Sequence, residues 1–110
     1  FEPCYETGKP VRWRIERADG MPAAIAGIWE FRPQDLVLSF SMLTINADGH
    51  PLMQRFHKPD DEKRMVMILD PDQYHGWLDG SLVTEEDLFQ QYSAERLVAV
   101  ADPLPPRVKK

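Results

Sequence analysis

The segment that most restricts the fold is Val11-Arg12-Trp13-Arg14-Ile15-Glu16-Arg17, where apolar and charged residues alternate without a break. Side chains on a strand point to opposite faces at each step, so a period of two predicts a half-buried strand. Val11, Trp13 and Ile15 then face a core, and Arg12 and Arg14 face away from it. The turn Ala18-Asp19-Gly20 leads into Ala23–Phe31, a run too apolar for a strand with one wet face. It reads as buried on both faces and as the second arm of a hairpin.

After Arg32-Pro33-Gln34-Asp35 comes another strand, Leu36–Ile45, with Leu38, Phe40 and Met42 on one face and Ser39 and Ser41 on the other. Pro51–Phe56 reads as a helical turn, Lys58–Lys63 as a charged loop and Met65–Leu69 as a strand. Asp70 N-caps a helix with Pro71 at its first position, Tyr74, Trp77 and Leu78 form its apolar stripe, and Gly80 ends it. Thr84 caps a second short helix, with Glu85, Glu86 and Asp87 near its positive end. Leu97–Ala101 is a last strand. About five strands and two or three short helices make an α+β pattern, without the βαβ alternation of a doubly wound sheet.

A chain of 110 residues has room for one small domain or a piece of one. Residues 1–102 carry the pattern, and 103–110, rich in Pro and ending in two Lys, read as a loose tail. Hydrophobic residues at 43% and charged residues at 28% indicate a folded chain rather than a disordered one. No apolar run approaches the roughly 20 residues of a membrane span. The start at Phe1-Glu2-Pro3, with neither an initiator Met nor a signal-peptide pattern, reads as the middle of a domain.

Cys4 is the only cysteine, so no disulfide forms within the chain and a cytoplasmic setting is the plainer expectation. One Cys and three His at unfamiliar spacings argue against a structural zinc site, and no cofactor is implied. The net charge of −5 opposes sequence-blind coating of nucleic acid but leaves room for a local basic groove.

The chemistry concentrates in Met53–Leu69, MQRFHKPDDEKRMVMIL, where His57 precedes Arg64 across a charged loop and a buried strand follows. A proton-transfer group and an anion-binding group are thus held at the mouth of a strand, a layout suited to a phosphorylated substrate. Arg12, Arg14, Arg55 and Lys58 extend it toward a basic track for a nucleic-acid backbone. Each has a plainer reading. Arg64 pairs with Asp60, Asp61 or Glu62, an exposed contact worth about 0–1 kcal/mol. Arg12 and Arg14 form a solvated strand face, His50 and His75 are surface residues, and Trp13, Trp29 and Trp77 pack in the core.

Five segments in register resemble the SOS-response-associated peptidase (SRAP) family. Phe1-Glu2 resembles the end of its aromatic–aromatic–Glu motif, and Ala26-Gly27-Ile28-Trp29-Glu30 its Ala-Gly-Leu-Trp-Glu strand. Ser39–Ala47, SFSMLTINA, resembles its strand and turn with paired threonines. His57 with Arg64-Met65 resembles its His-x-Arg-Met-Pro signature, and LDPDQYHGWL at Leu69–Leu78 its Leu-Pro-Pro helix start. The loop Lys58–Lys63 expands the His-to-Arg spacing, and Val66 stands where Pro is common.

The resemblance implies a strand-rich domain with a mixed, mostly antiparallel, barrel-like sheet and short helices. It also implies that the front half, which begins with a catalytic Cys, lies outside this chain; Cys4 falls beyond the Glu motif and cannot replace it. Family members bond covalently to abasic sites in single-stranded DNA. The Cys amine forms an imine with the sugar aldehyde and the thiol closes a thiazolidine, while a related reaction releases the protein's own N-terminal Met. By resemblance His57 assists ring opening and imine formation, Glu2 holds the amine and moves protons, and Arg64 binds a flanking phosphate.

The implied partners are abasic single-stranded DNA and the remainder of the same domain, with no membrane. The isolated chain is expected to be inactive, and apolar edges left by the missing half favour self-association. A β-rich interaction module that keeps only the fold is the alternative. Proteolysis in trans finds no Ser-His-Asp or Cys-His arrangement in this sequence.

Overall fold

The computed structural model describes residues 1–81 and 89–107, through which nine strands run in order. They are β1 (Glu2–Cys4), β2 (Val11–Arg17), β3 (Ala24–Ile25), β4 (Gly27–Arg32), β5 (Val37–Met42), β6 (Thr44–Asn46), β7 (Arg64–Val66), β8 (Ile68–Leu69) and β9 (Leu97–Ala101). Turns of 3-10 helix at Met53–Arg55, Pro71–Gln73 and Ala94–Arg96 and one α-helix, α1 (Tyr74–Leu78), complete the described fold. The α+β, strand-rich expectation holds. All strand ladders are antiparallel, and among the described residues they form four separate sheets rather than a closed barrel.

The alternating segment is β2, the middle strand of a sheet ordered β1-β2-β9. Register puts Glu2, Trp13 and Ala101 side by side on one face, with Cys4 and Val11, and Ile15 and Ala99, beside them. Pro3, Arg12, Arg14 and Val100 line the opposite face. The expected hairpin of β2 with the next apolar run does not form, because that run is consumed elsewhere.

Ala23–Phe31 divides at Ala26 into β3 and β4, Leu36–Ile45 divides at Leu43 into β5 and β6, and Met65–Leu69 divides at Met67 into β7 and β8. The three dividing residues close a ring of backbone hydrogen bonds. The Ala26 N–H donates to the Met67 carbonyl at 2.8 Å, Met67 to Leu43 at 3.0 Å, and Leu43 to Ala26 at 2.9 Å. Each long strand therefore changes partner as it crosses the junction: β4 pairs with β5, β6 with β7, and β3 with β8. Gly27 sits at the close approach beside the ring, where an added Cβ would lie 3.1 Å from the Ser41 carbonyl oxygen. A hydrophobic run marks each strand but not the point at which it switches sheets, since all the backbone groups remain paired.

Two clusters fill the interior. The larger joins Cys4, Ala47, Met53, Phe56, Met65, Tyr92 and Leu97, with Trp13, Ile15 and Ile45 packed against it. The smaller holds Ala26, Met67 and Leu69 under Leu43, Tyr74 and Trp77. Asp70 and Pro71 start the helical segment as expected, with the Asp70 N–H donating to Gln73 Oε1 at 2.8 Å, and Gly80 ends it at φ +81°. Leu78 is exposed rather than part of the stripe, since the short α1 covers this small cluster with its two aromatic rings.

Two expectations about aromatic and apolar burial fail at β4–β5. The hairpin is exposed along its whole length, and Trp29 is 73% exposed, not core. Beyond the junction no second layer packs on it among the described residues. Its register still sorts the side chains: Trp29, Phe31, Leu38, Phe40 and Met42 share one face, and Ile28, Glu30, Ser39 and Ser41 the other.

His50 is a further correction. It is buried, and its Nε2 donates to the Tyr92 carbonyl at 2.6 Å. Its Nδ1 accepts from the backbone N–H groups of Leu52 and Met53, capping the turn that begins at Met53. The neutral Nε2–H tautomer satisfies all three contacts. His50→Ala leaves these buried groups without partners and is expected to cost about 1–3 kcal/mol, measured by urea unfolding. His75 lies on the surface as expected, its side chain 95% exposed.

The second short helix expected from Thr84 lies outside the described residues. Residues 103–107 have no regular secondary structure. No helix among the described residues is long and apolar enough to cross a membrane.

Candidate functional site at the β1 edge

Phe56 and Cys4 set the position of the site. Phe56 is wholly buried, its ring edge-on to Trp13 at 6.1 Å between centroids. This anchors the chain just before His57. The His57 N–H donates to the Pro3 carbonyl at 2.8 Å, forming a parallel bridge to β1 at Cys4. His57 itself turns through the left-handed region at φ +66°, which carries the chain away from the sheet and into the charged loop.

Glu2 lies one residue before Pro3 on the sheet face that carries Trp13. The two features bring His57 Nε2 within 2.9 Å of Glu2 Oε2, with both side chains part-buried. The carboxylate accepts, so Nε2 is the donor and a neutral ring keeps its lone pair on Nδ1. An imidazole and a carboxylate from separate segments thus form a pair through which a proton can move.

Beside His57 a cavity of about 290 Å³ is lined by Tyr5, Glu6, Gln54, Arg55, Pro59 and Lys63. Arg55 stacks on Trp13 at 5.0 Å and donates from Nε to Glu6 Oε1 at 2.9 Å. That hydrogen bond holds the Glu6 carboxyl below its ordinary value of 4.5 and raises the guanidinium. With a depressed folded pKa, the contact is present above the ordinary carboxylate range and is lost as pH falls through the lowered value.

Arg64 projects from β7 onto β6. Its guanidinium donates to the Thr44 hydroxyl at 3.2 Å, the Thr44 carbonyl at 2.8 Å and Glu62 Oε1 at 3.1 Å. Among the described residues no hydrogen bond joins it to His57, and it does not line the cavity beside that ring. Of the three acids in its plainer reading, Glu62 is the partner.

Arg12 and Arg14 occupy the face of β2 opposite Glu2 and Trp13. Arg12 donates to the Asp102 carbonyl at 2.8 Å and lies over the Phe1 ring at 4.2 Å. Arg14 pairs with Glu16 and, at 3.7 Å, with Asp102. Lys58 is exposed at the start of the loop. Cys4 is a buried free thiol.

The residues that bring the site together but escaped the sequence reading are Glu6 and Lys63. Glu6 stands in a segment with no periodicity, and Lys63 is the last residue of a run read as a charged loop. A cationic residue at the far end of a loop opened by a left-handed turn is the signal that marks Lys63.

The chain is thus an antiparallel, strand-rich domain with a His–Glu contact at the edge of its main sheet. The model of the SOS response associated peptidase (SRAP) family matches residues 1–109, and the chain belongs to that family. It is similar to a protein from Bordetella bronchiseptica whose crystal structure it matches with a TM-score of 0.84 and 43% identity, over 94% of this chain and 50% of that one. A protein from Bacteroides thetaiotaomicron matches with a TM-score of 0.72 at 22% identity, over 92% of this chain and 44% of that one, and shows the fold alone. This chain therefore spans about half the length of these solved structures. Comparison with curated proteins gives no match.

Proposed function

We propose that this chain is part of a DNA-damage-response domain that cross-links abasic sites in single-stranded DNA through an N-terminal Cys outside residues 1–110. The observation that carries the reading is the 2.9 Å contact between His57 and Glu2. In the reaction the Cys amine attacks the open-chain sugar aldehyde and the carbonyl oxygen departs as water, giving an imine. The thiol then adds across the C=N bond, its sulfur to carbon and a proton to nitrogen, closing a thiazolidine. Each step moves a proton near neutral pH, the range in which an imidazole serves as both donor and acceptor. Release of the N-terminal Met exposes the amine and is the linked peptidase step.

Arg64 is proposed to bind the phosphate beside the lesion, exchanging its exposed Glu62 contact for phosphate oxygens that fit its planar fork. Lys58, Arg12 and Arg14 would meet the backbone farther along, the latter two around the sheet edge from Glu2. The remainder of the domain is the proposed cover for the apolar hairpin face, since half of the Bordetella chain has no counterpart here.

The exposed face of Trp29, Phe31, Leu38, Phe40 and Met42 favours the second reading, a β-rich interaction module without chemistry. One assay separates them. The intact gene product, mixed with a single-stranded oligonucleotide holding one abasic site, is expected to give an adduct that survives denaturing electrophoresis. An oligonucleotide with its base intact gives none. Absence of an adduct from both, with binding indifferent to salt, decides for the interaction module.

A further inference from the structure

The lengthened loop between His57 and Arg64 closes on itself through one side chain. Lys63 Nζ donates to the carbonyls of Phe56 at 2.8 Å, His57 at 3.4 Å and Lys58 at 2.7 Å. Three consecutive carbonyls converge on a single point here because the chain reverses its curl at His57, where φ is +66°. That conformation is uncommon for a residue with a side chain. It would also leave a concentration of carbonyl oxygen without a donor. An ammonium has three N–H donors and no acceptor, matching three oxygens around one point better than the flat fork of an arginine.

Lys63 is itself fixed to the interior: its carbonyl accepts from the Ala47 N–H at 2.7 Å, and Ala47 is wholly buried. The clamp thus refers the loop to the core rather than to solvent. On the other side of His57, β1 takes the N–H through Pro3 and the ring through Glu2. His57 is held at three points, its N–H, its ring and its carbonyl, and Lys63 holds the last of them.

The geometry points to Lys63 as the positioning residue for His57: its ammonium holds the backbone conformation that aims the imidazole at Glu2. This rests on the reading of His57 as a functional group, and it supplies the reason that a long loop is compatible with a fixed imidazole. The loop carries its own closure, so its length does not loosen His57, the residue that precedes it.

Lys63→Met in the intact protein keeps most of the side-chain length and removes the donors. The amide of His57 is expected to exchange with solvent about 10-fold faster or more, as for loss of a charge-assisted hydrogen bond, while the β2–β9 ladder keeps its protection. Cross-linking to an abasic oligonucleotide is expected to slow by a similar factor with the oligonucleotide affinity unchanged. Lys63→Arg should restore part of both. In the unaltered protein the Lys63 Nζ protons should exchange slowly enough to be observed by NMR near neutral pH, a measurement that decides even where the Met variant does not fold. Unchanged exchange at His57 in Lys63→Met, or Nζ protons that exchange like those of a free lysine, overturns the assignment. Normal cross-linking by a His57 variant removes the functional reading instead, leaving the exchange result to stand or fall alone.

Discussion

Replacing His57 by asparagine in the intact protein is expected to slow cross-link formation by about 100- to 10,000-fold, the range lost with a positioned general acid–base. Asparagine is the informative choice because it tolerates the left-handed conformation that His57 adopts at φ +66°. It also keeps the N–H that donates to Pro3, so the bridge to β1 survives. What it lacks is a group that takes up and gives back a proton near neutral pH. His57→Ala removes the same chemistry but adds backbone strain, so a larger loss in the alanine variant alone would report conformation. Single-turnover adduct formation on denaturing gels measures the effect. A rate within about threefold of the unaltered protein, well inside the span ascribed to acid–base catalysis, would show that the imidazole takes no part.

The hydrogen bond within the pair explains why Glu2 matters to this result. Glu2 Oε2 accepts from His57 Nε2 at 2.9 Å, which leaves Nδ1 of a neutral ring free to take a proton from a reacting group. Glu2→Gln keeps a polar group of the same size but offers a neutral oxygen. A smaller slowing than that of His57→Asn is therefore consistent with orientation of the ring, the same logic by which a carboxylate fixes the tautomer of a catalytic histidine.

The elements were readable in the sequence where one residue's environment is set by its immediate neighbours. The period of two across Val11–Arg17 gave β2 and its core face, and Asp70-Pro71 gave the start of the helical segment. The partners of those elements were not readable. Nothing in Ala23–Phe31 marks Ala26 as the point of division, because the division is imposed by Leu43 and Met67 through backbone hydrogen bonds that any residue can make. The burial of His50 was hidden for a similar reason. Its three partners are backbone groups of Tyr92, Leu52 and Met53, and backbone groups leave no trace in residue type.

The site divides along the same line. Glu2 and His57 came from motifs, and the structure joins them. Arg12 and Arg14 came from clustering in sequence, and strand alternation carries them to the far face of the sheet that holds Glu2. Positions two apart on a strand share a face, so Arg12 and Arg14 stay together and both lie away from the face of Glu2 and Trp13.

Phe56→Ala is expected to lower the unfolding free energy by about 3–5 kcal/mol, the range for truncating a fully buried aromatic residue. The ring is 0% exposed within the cluster of Cys4, Met53, Met65, Tyr92 and Leu97, and its edge-on contact with Trp13 is lost as well. Phe40, 81% exposed on the hairpin, is the matched control. In residues 1–110 alone, Phe40→Ala should change stability by no more than about 0.5 kcal/mol, as for a surface position. In the intact protein the same substitution tests what covers the hairpin. A loss there approaching that of Phe56 means that the remainder of the domain buries the face of Trp29, Phe31 and Phe40. A value still near zero means that this face stays open, and with it the case for an interaction surface grows at the expense of a structural one. Urea unfolding of both variants in both forms makes the comparison, because the two rings are alike and only their cover differs.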